Sequence, residues 1–313
     1  MDTPNQHRWG LILAGGEGRR LRHFLKTQYG TDVPKQFCEI LGDRSMLRRT
    51  IDRAQLVVPD ERIVTIITKH HVPYADKDLY ARPRNTVVIQ PEGRETGPAI
   101  LLPLLHILRL DPQAQVAIFP SDHFVEQEER FMEYVDSAFG FTAVLPGFIT
   151  LLGIPAHGIQ DGYGWIEPGE VLGSRYGTEL FKVKRFIEKP AVTAAARIYY
   201  ENYLCNTFTM IGHISTFLTL ARFMMPEVYY PMKRIAKALG TSQENRVIEE
   251  VYNSVPPINF SKAVLEQSVE YLSVIPVRDV YWNDWGEESR VRSDLTKLGY
   301  SLDEKPHVAM VSR

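Results

Sequence analysis

The amino-acid sequence predicts an α/β protein in which helices cover a largely parallel sheet. Short apolar runs rich in β-branched residues, such as 63–67, alternate with longer stretches whose apolar residues recur at helical spacing. Two of the apolar runs lead directly into residues suited to ligand binding, at Gly15 and at Asp122. Because the carboxyl ends of parallel strands meet at one edge of a sheet, we expect the functional site at that edge.

Strands and helices alternate regularly in the first half of the chain. Residues 45–54 have apolar side chains at helical spacing, with Ser45 as a candidate N-cap. Residues 96–110 form a second apolar stretch that ends at Asp111-Pro112. The predicted strands are 9–14, 63–67, 86–90, 116–119 and 148–154, and the predicted helices are 45–54, 96–110 and 131–141.

The second half of the chain is less regular. Residues 180–188 alternate between apolar and charged side chains, which indicates a half-exposed strand. Taken without any family resemblance, Gly162 and Gly164 favour a hairpin turn. Further strands are predicted at 206–211 and 274–281, and helices at 191–202, 215–225 and 289–298. No repeat or linker interrupts this order, so we expect one domain over 1–298, followed by a C-terminal tail, 299–313.

Composition and charge exclude several classes of function. The chain has 313 residues, of which 44% are hydrophobic and 24% charged, as in an ordinary globular protein. Its formal net charge of −2 gives no field for nucleic acid or an anionic membrane, and we expect neither as a partner. No window approaches 18 uninterrupted apolar residues and no signal-peptide pattern is present, which predicts a soluble cytoplasmic protein. Cys38 and Cys205 are expected to be buried and unpaired.

The stretch 9–37 carries the strongest local indication of function. A short apolar run is followed by Gly15, Gly16 and Gly18, which allow backbone N–H groups to approach a ligand closely. Several arginines and Lys35 follow, and their charge suits a polyphosphate. A tight turn with solvated arginines fits the same residues, and spacing alone leaves both interpretations open.

The spacing does exclude two common phosphate-binding loops. A P-loop requires a Gly-Lys pair, and the chain has none. A dinucleotide fingerprint requires Gly-x-Gly-x-x-Gly, and its last position is Leu21 here.

Two aspartates follow predicted strands and are candidate metal ligands. Asp122 comes shortly after the strand 116–119, and Asp284 comes shortly after the strand 274–281. Mg²⁺ prefers one or two carboxylates and leaves its other positions to water and phosphate. A helix N-cap or a turn is the structural alternative for Asp122.

Together, these and other motifs resemble the signature of the sugar-1-phosphate nucleotidyltransferases. The motifs are Gly-Gly-x-Gly-x-Arg-Leu at 15–21, Pro-Lys-Gln-Phe at 34–37, Gln-Pro-Glu-Gly-Arg-Glu-Thr-Gly-Pro-Ala at 90–99, Pro-Ser-Asp-His at 120–123, Glu-Lys-Pro at 188–190 and Trp-Asn-Asp-Trp-Gly at 282–286. The second and third are most similar to the mannose-1-phosphate guanylyltransferase branch. The resemblance covers 9–298 and implies a three-layer α/β/α Rossmann-like nucleotidyltransferase fold with a mostly parallel mixed central sheet. It also implies transfer of a nucleotidyl group from a nucleoside triphosphate, GTP being favoured, to a sugar 1-phosphate.

The resemblance further implies the roles of individual residues. The implied catalytic residues are Arg20, Lys35 and Asp122. The implied nucleotide-binding residues are Leu13, Ala14, Gly15, Gly16, Gly18, Arg20, Lys35, Gln90, Arg94, Thr96, Gly97 and Asp122. The implied sugar-phosphate residues are Gly164, Glu188, Lys189 and Asn206. Mg²⁺ is the implied cofactor, held by Asp122 and Asp284, and a homodimer is compatible with the family.

Several departures from the family pattern leave alternatives open. Arg19 is an extra arginine beside Arg20, Gly97 replaces a usual alanine, and Cys205 replaces a usual tryptophan before Asn206. The stretch 258–266, INFSKAVLE, replaces the usual Asp-Tyr pair by Ser-Lys, which bears on the identity of the sugar. The alternatives are a uridylyl-, cytidylyl- or thymidylyltransferase, or a non-catalytic nucleotide-sugar sensor. A sensor would be expected to have lost a metal aspartate or a phosphate lysine, whereas this chain keeps Asp122, Asp284, Lys35 and Lys189.

Overall fold

The computed structural model describes residues 6–30, 32–159 and 161–300. The strands in this part of the chain are β1 (Arg8–Leu13), β2 (Ile63–Thr68), β3 (Val87–Gln90), β4 (Gln115–Pro120), β5 (Phe124–Val125), β6 (Ile149–Pro155), β7 (Gly164–Arg175), β8 (Thr178–Glu188), β9 (Leu204–His213), β10 (Leu272–Pro276) and β11 (Trp282–Asn283). The α-helices are α1 (Arg22–Tyr29), α2 (Met46–Ala54), α3 (Val72–Leu79), α4 (Thr96–Leu110), α5 (Glu128–Val144), α6 (Val192–Tyr200), α7 (Ile214–Met224), α8 (Pro226–Ala238), α9 (Glu244–Tyr252) and α10 (Glu288–Lys297).

Nine of these strands form one mixed sheet, in the order β3-β2-β1-β4-β9-β6-β10-β8-β7. The pairs β1–β2, β1–β4, β2–β3 and β6–β10 are parallel, whereas β9 and β8 run against their neighbours. Seven of the nine strands therefore point the same way. β5 and β11 form a separate two-stranded pair beside the sheet. The predicted mostly parallel mixed sheet is confirmed.

Helices cover both faces of the sheet. Along β1 the side chains alternate, so that Leu11 faces one apolar core and Ile12 the other. The first core also contains apolar residues of α4, α7, α8 and α9. The second contains those of α2, α3, α5 and α6. This is the three-layer α/β/α arrangement that the sequence predicts.

A third apolar cluster joins the first and last helices beside the glycine stretch. It contains Leu21, Phe24 and Leu25 near α1, together with Trp285 and Val291 at α10. The ring of Trp285 is fully buried and stacks on Phe124 at 4.9 Å. The segment that follows β11 is thereby fixed next to the segment that follows β1.

Most of the predicted elements are confirmed with small shifts in their ends. The side chain of Ser45 accepts a hydrogen bond from the backbone N–H of Arg48 at 2.9 Å, as expected of an N-cap. The sequence analysis did not identify α1, α3, α8 and α9. Of these, α8 carries Pro231 in its interior, which lowers the apparent helix propensity.

Two expectations about the second half are wrong. The predicted strand 274–281 is interrupted: β10 ends at Pro276, and β11 begins only at Trp282. The predicted hairpin turn at 162–164 is also wrong, because Gly164 begins the long strand β7, whose turn to β8 lies at Tyr176 and Gly177. Pro168 and irregular pairing along β7 concealed this strand from sequence patterning.

Three further expectations concern the cysteines, membrane-spanning helices and the C-terminal tail. Cys38 and Cys205 are buried and free, which confirms the prediction. No helix in the described ranges is long and apolar enough to cross a membrane. The predicted tail, 299–313, lies outside the described residues apart from Gly299 and Tyr300.

Candidate active site

The loop that follows β1, residues 14–18, needs glycine for two physical reasons. Gly15 lies against Gln90, because a Cβ on Gly15 would stand only 2.5 Å from Nε2 of Gln90. Gly18 has φ +59°, in the left-handed region, and its Cβ would stand 3.1 Å from the backbone nitrogen of Lys35. We call this segment the glycine loop.

The carbonyl groups of the glycine loop accept hydrogen bonds from the protein itself. Gln36 donates from Nε2 to the carbonyl oxygens of Ala14 at 3.1 Å and Gly16 at 2.7 Å. Thr68 donates from its hydroxyl to the carbonyl oxygen of Gly15 at 3.0 Å. The backbone N–H of Ala14 donates to the carbonyl oxygen of Ile66 at 2.9 Å, so the N–H groups of 15–18 are those that the loop can offer to an anion.

Gln90 lies beneath the glycine loop and is 1% exposed. Its Nε2 donates to the hydroxyl of Thr68 at 3.1 Å, and its Oε1 accepts from the hydroxyl of Tyr252 at 3.3 Å. The amide is therefore oriented from both ends. A role in binding the base has to use the N–H directed towards Gly15, or has to act through the loop.

Lys35 is the residue that joins the separate motifs. Its side chain is buried, and Nζ lies 3.0 Å from Oδ2 of Asp122. Nζ also donates to the carbonyl oxygens of Asp284 at 2.6 Å and Trp285 at 3.0 Å. Three segments that are far apart in the sequence thus meet at one ammonium group.

The carboxylate of Asp284 is held by hydrogen bonds that all reach the same oxygen. Oδ1 accepts from the hydroxyl of Tyr163 at 3.0 Å, from Nη1 of Arg290 at 2.9 Å and from the backbone N–H of Gly286 at 3.0 Å. A Cβ on Gly286 would stand 2.6 Å from Oδ2 of Asp284 and 3.1 Å from Nη1 of Arg20. Arg20, from the end of the glycine loop, therefore reaches the Asp284 motif.

Burial and neighbouring charges shift the pKa of three groups at this site: Asp122, His123 and Tyr163. Burial raises the pKa of the Asp122 carboxyl, but Lys35 and His123 outweigh burial and hold that pKa below its usual value. Burial lowers the pKa of His123, against the opposing effect of Asp122. Burial and Asp284 raise the pKa of Tyr163, so its hydroxyl remains a hydrogen-bond donor at neutral pH.

The oxygen atoms at this site fit a small hard cation. Lys35 contacts Asp122 through Oδ2, and the donors to Asp284 converge on its Oδ1. The carboxylates of Asp122 and Asp284 are the groups that would hold Mg²⁺, with water and phosphate completing its coordination. Nε2 of His123 also lies 3.9 Å from Oδ1 of Asp122. The carboxylate ligands at this site therefore suit Mg²⁺, the cofactor that the sequence predicts.

The residues predicted to bind the sugar phosphate also come together. A Cβ on Gly164 would stand 2.8 Å from Oε2 of Glu188 and 3.4 Å from Cβ of Asn206. Glu188 is nearly buried, whereas Lys189 is half exposed, with Nζ 3.7 Å from Oε1 of Glu188. The backbone N–H of Lys189 donates to the carbonyl oxygen of Tyr163 at 3.0 Å. Tyr163 therefore connects this cluster to Asp284.

The stretch 258–266, which departs from the family pattern, packs between the two clusters. The backbone N–H of Phe260 donates to the hydroxyl of Thr96 at 2.8 Å, and that of Gly97 donates to the carbonyl oxygen of Ile258 at 2.8 Å. At the other end, Oε1 of Glu266 accepts from the backbone N–H of Glu188 at 3.2 Å.

A π-helical turn, Ser261–Leu265, lies between these contacts, and such turns recur at functional sites. Burial and Glu266 raise the pKa of Glu188, while Lys189, Ser261 and Lys262 oppose that shift. The departing residues therefore act on the predicted sugar cluster. The same packing explains Gly97, because an alanine Cβ would stand 2.9 Å from the carbonyl oxygen of Ile258.

Strained backbone also marks this region. Glu95, Lys189, Phe208 and Trp285 have positive φ without being glycine. Each lies next to a predicted site residue or is one. Such strain persists only where the surroundings impose it, and it is frequent at binding sites.

The sequence analysis missed two residues of this site, Tyr163 and Arg290. Arg290 projects from α10 to Asp284, and its guanidinium also lies over the ring of Tyr163 at 4.8 Å. Tyr163 stands between Gly162 and Gly164, but the sequence analysis gave a role only to the glycines, and Arg290 belongs to no motif by its spacing. In contrast, Arg94, a predicted nucleotide-binding residue, pairs with Glu92, two residues before it.

Comparison with known proteins finds similarity over most of the chain. A family model described as nucleotidyl transferase matches residues 9–289. A mannose-1-phosphate guanylyltransferase of Escherichia coli is 26% identical over 294 residues, which cover 92% of this chain and 61% of that protein. One of Salmonella typhimurium is 29% identical over 290 residues, covering 89% of this chain and 57% of that protein. The chain therefore spans about three fifths of the length of these relatives.

A solved structure is also similar to this chain over most of its length. It is titled mannose-1-phosphate geranyltransferase from Thermus thermophilus and superposes with a TM-score of 0.77 at 25% identity. The superposition covers 92% of this chain and 79% of that one.

Proposed function

Because the chain belongs to the nucleotidyl transferase family, we propose that it transfers GMP from GTP to mannose 1-phosphate or a closely related sugar 1-phosphate, with release of pyrophosphate. The names of the relatives from Escherichia coli and Salmonella typhimurium support this choice of substrates. The sequence motifs shared with guanylyltransferases, at 34–37 and 90–99, support it independently.

One observation carries the proposal: Lys35 contacts Asp122 and the backbone of Asp284 at the edge of the sheet where the glycine loop also lies. A triphosphate on the N–H groups of that loop would meet one lysine, one arginine and two carboxylates. In this assignment the loop, Arg20 and Lys35 hold the triphosphate, and Asp122 and Asp284 hold Mg²⁺. When bound, Mg²⁺ would neutralise charge on the phosphate oxygens.

The proposed reaction is an in-line displacement. A phosphate oxygen of the sugar 1-phosphate forms a bond to the α-phosphorus of the nucleotide, and the bond between that phosphorus and the bridging oxygen of pyrophosphate breaks. A phosphate monoester has a second pKa of about 6, so it is already ionised at neutral pH and needs no general base. The protein therefore contributes positioning and neutralisation of charge, through Lys35 and Arg20 on one side and Lys189 on the other.

Specificity for the sugar is assigned to Gly164, Glu188 and Asn206, together with the stretch 258–266. The close approach at Gly164 brings the carboxylate of Glu188 beside Asn206, which suits the hydroxyl groups of a hexose. A nucleoside triphosphate and a sugar phosphate are cytoplasmic metabolites, so the proposal places the enzyme in that compartment.

A substrate matrix tests the proposal. Pyrophosphate release is measured for GTP, UTP, CTP, dTTP and ATP, each with mannose, glucose and galactose 1-phosphate, and the Asp122→Asn variant sets the background. GTP with mannose 1-phosphate is expected to give the highest turnover. Equal or better use of another nucleotide would remove the guanylyl assignment, whereas saturable binding of nucleotide sugars without any release would indicate a non-catalytic sensor.

A further inference from the structure

Three metal-ligating side chains meet beside the glycine loop and have no role in the proposed reaction. Glu17 lies in that loop between Gly16 and Gly18, and His70 and His71 follow directly after β2. Nε2 of His70 lies 3.0 Å from Oε1 of Glu17, and Nε2 of His71 lies 4.0 Å from the same oxygen. One ligand atom from each of the three residues lies within 4.8 Å of the others.

His71 is the unusual member of this cluster. Its side chain is 1% exposed. Neither ring nitrogen makes a well-formed hydrogen bond within the described part of the chain, although the backbone of Ala14 lies close enough to the ring to act as a weak polar partner. A buried imidazole normally satisfies at least one nitrogen, because an unpaired polar group in the interior is costly. A metal ion would provide the missing partner.

We propose that Glu17, His70 and His71 form a binding site for a divalent transition metal of the Zn²⁺ class. Two imidazoles and one carboxylate are a donor set that Zn²⁺, Co²⁺ and Ni²⁺ prefer, whereas Mg²⁺ and Ca²⁺ prefer oxygen alone. Zn²⁺ binds these ligands at about 2.0–2.2 Å, which separates tetrahedral ligand atoms by roughly 3.3–3.6 Å. The observed separations lie on both sides of this value, so small side-chain rotations complete the site.

A metal ion bound at this site would affect the glycine loop. Glu17 and His70 are exposed, so the fourth coordination position faces solvent and is open to water or an anion. A bound ion would connect the glycine loop to the end of β2. If the loop holds the triphosphate, as the proposed function states, metal and nucleotide affinities are then linked reciprocally.

Titration with Co²⁺ tests the site by itself. The full chain without an affinity tag is freed of metal, kept in excess Mg²⁺ and titrated with Co²⁺, and visible absorption is recorded. The expected result is one equivalent of Co²⁺ with the absorption bands of a tetrahedral site, displaced by Zn²⁺. His70→Ala and Glu17→Gln are each expected to weaken Co²⁺ binding by at least about tenfold.

Two control variants separate this site from other metal ligands. His23→Ala removes an exposed histidine elsewhere and is expected to leave the Co²⁺ titration unchanged. Asp122→Asn removes a proposed Mg²⁺ ligand and is also expected to leave it unchanged, so a failure of the proposed function does not affect this result. Absence of saturable Co²⁺ binding, or equal binding by His70→Ala and Glu17→Gln, would overturn the proposal and leave only an ion pair between His70 and Glu17.

Discussion

Arg290 donates a hydrogen bond from Nη1 to Oδ1 of Asp284 at 2.9 Å, and both side chains are largely withdrawn from solvent. This contact fixes the orientation of a carboxylate that the proposed reaction uses to hold Mg²⁺. Arg290 is therefore a positioning residue, and its removal is expected to act through the metal.

We expect Arg290→Ala to lower kcat by about 10- to 100-fold, because a hydrogen bond to a charged group contributes about 1.5–3 kcal/mol. The Mg²⁺ concentration for half-maximal activity should rise in parallel, and Arg290→Lys should restore part of both losses. Arg292→Ala, on the same helix and paired with Glu288, is the control and should change neither quantity. A loss of kcat at unchanged Mg²⁺ dependence would show that Arg290 acts in another way.

Activity is expected to require both proposed metal ligands. Asp122→Asn and Asp284→Asn should each lower kcat at least ~100-fold, since each removes a charge that faces the polyphosphate. Excess chelator should abolish pyrophosphate release, and added Mg²⁺ should restore it. Asp43→Asn, at an exposed turn, is the matched control. Full turnover in chelator, or an unaffected Asp122→Asn variant, would contradict this assignment.

The two lysines are expected to give different kinetic signatures. Lys189→Ala should raise KM for the sugar phosphate by about 10- to 100-fold, because a half-exposed ammonium at the sugar cluster contributes mainly to binding. Lys35→Ala should act on the nucleotide and on kcat. Initial rates with each substrate varied in turn separate these effects, and Lys184→Ala on β8 is the control. Identical signatures for the two variants would refute the division of roles.

The ion pair between Lys35 and Asp122 should make stability depend on acidic pH. In the folded protein the pKa of Asp122 lies below its usual value, whereas an aspartate in the unfolded chain has a pKa of about 3.9. The stabilisation is therefore fully present above about pH 4 and is lost as pH falls through the folded pKa. Lys35→Met should lower the free energy of unfolding at pH 7 by about 1–3 kcal/mol, less than for a fully buried pair because Asp122 is 33% exposed.

Urea unfolding of the wild type and Lys35→Met at several pH values tests this expectation. The difference between the two proteins should shrink as the pH falls below 4. Lys184→Met, which breaks an exposed pair with Glu167, should show a small difference at every pH. A wild-type advantage that stays constant down to the most acidic pH would exclude the titration of Asp122 as its source.

Base preference is expected to depend on Gln90. Gln90→Ala should reduce the preference for GTP over UTP by roughly tenfold, because unpaired polar groups at a base site cost about 1–3 kcal/mol each. Tyr252→Phe removes the hydrogen bond to Oε1 of Gln90 and should reduce the same preference less. Ratios of kcat/KM for the nucleotides measure the effect. A uniform loss with every nucleotide would instead mean that Gln90 only supports Gly15.

The sequence was most informative where function depends on local pattern. Lys35, Asp122 and Asp284 each belong to a short motif at the end of a strand, and parallel strands bring such ends to one edge. The structure places these three residues in contact, directly or through the backbone. The roles of these residues remain predictions until the variants are measured.

Contacts between residues that are far apart in the sequence could not be predicted in the same way. Tyr163 reaches Asp284 from 121 residues away in the sequence, and the packing that brings them together has no signature in spacing. Likewise, the strand β7 is irregular in its pairing, so its alternation of apolar residues is interrupted and its first residues resemble a turn.

The contact between Gly97 and Ile258 limits how this protein can be re-engineered. Segment 258–266 is seated on the start of α4, and any side chain at position 97 would have to displace it. A chimaera could take segment 258–266 from a relative that has alanine at the equivalent of Gly97. The backbone of that segment would be adapted to the alanine methyl group. If segment 258–266 selects the acceptor sugar, as proposed, an exchange of that specificity requires position 97 to be exchanged together with the segment, as one transplantable unit.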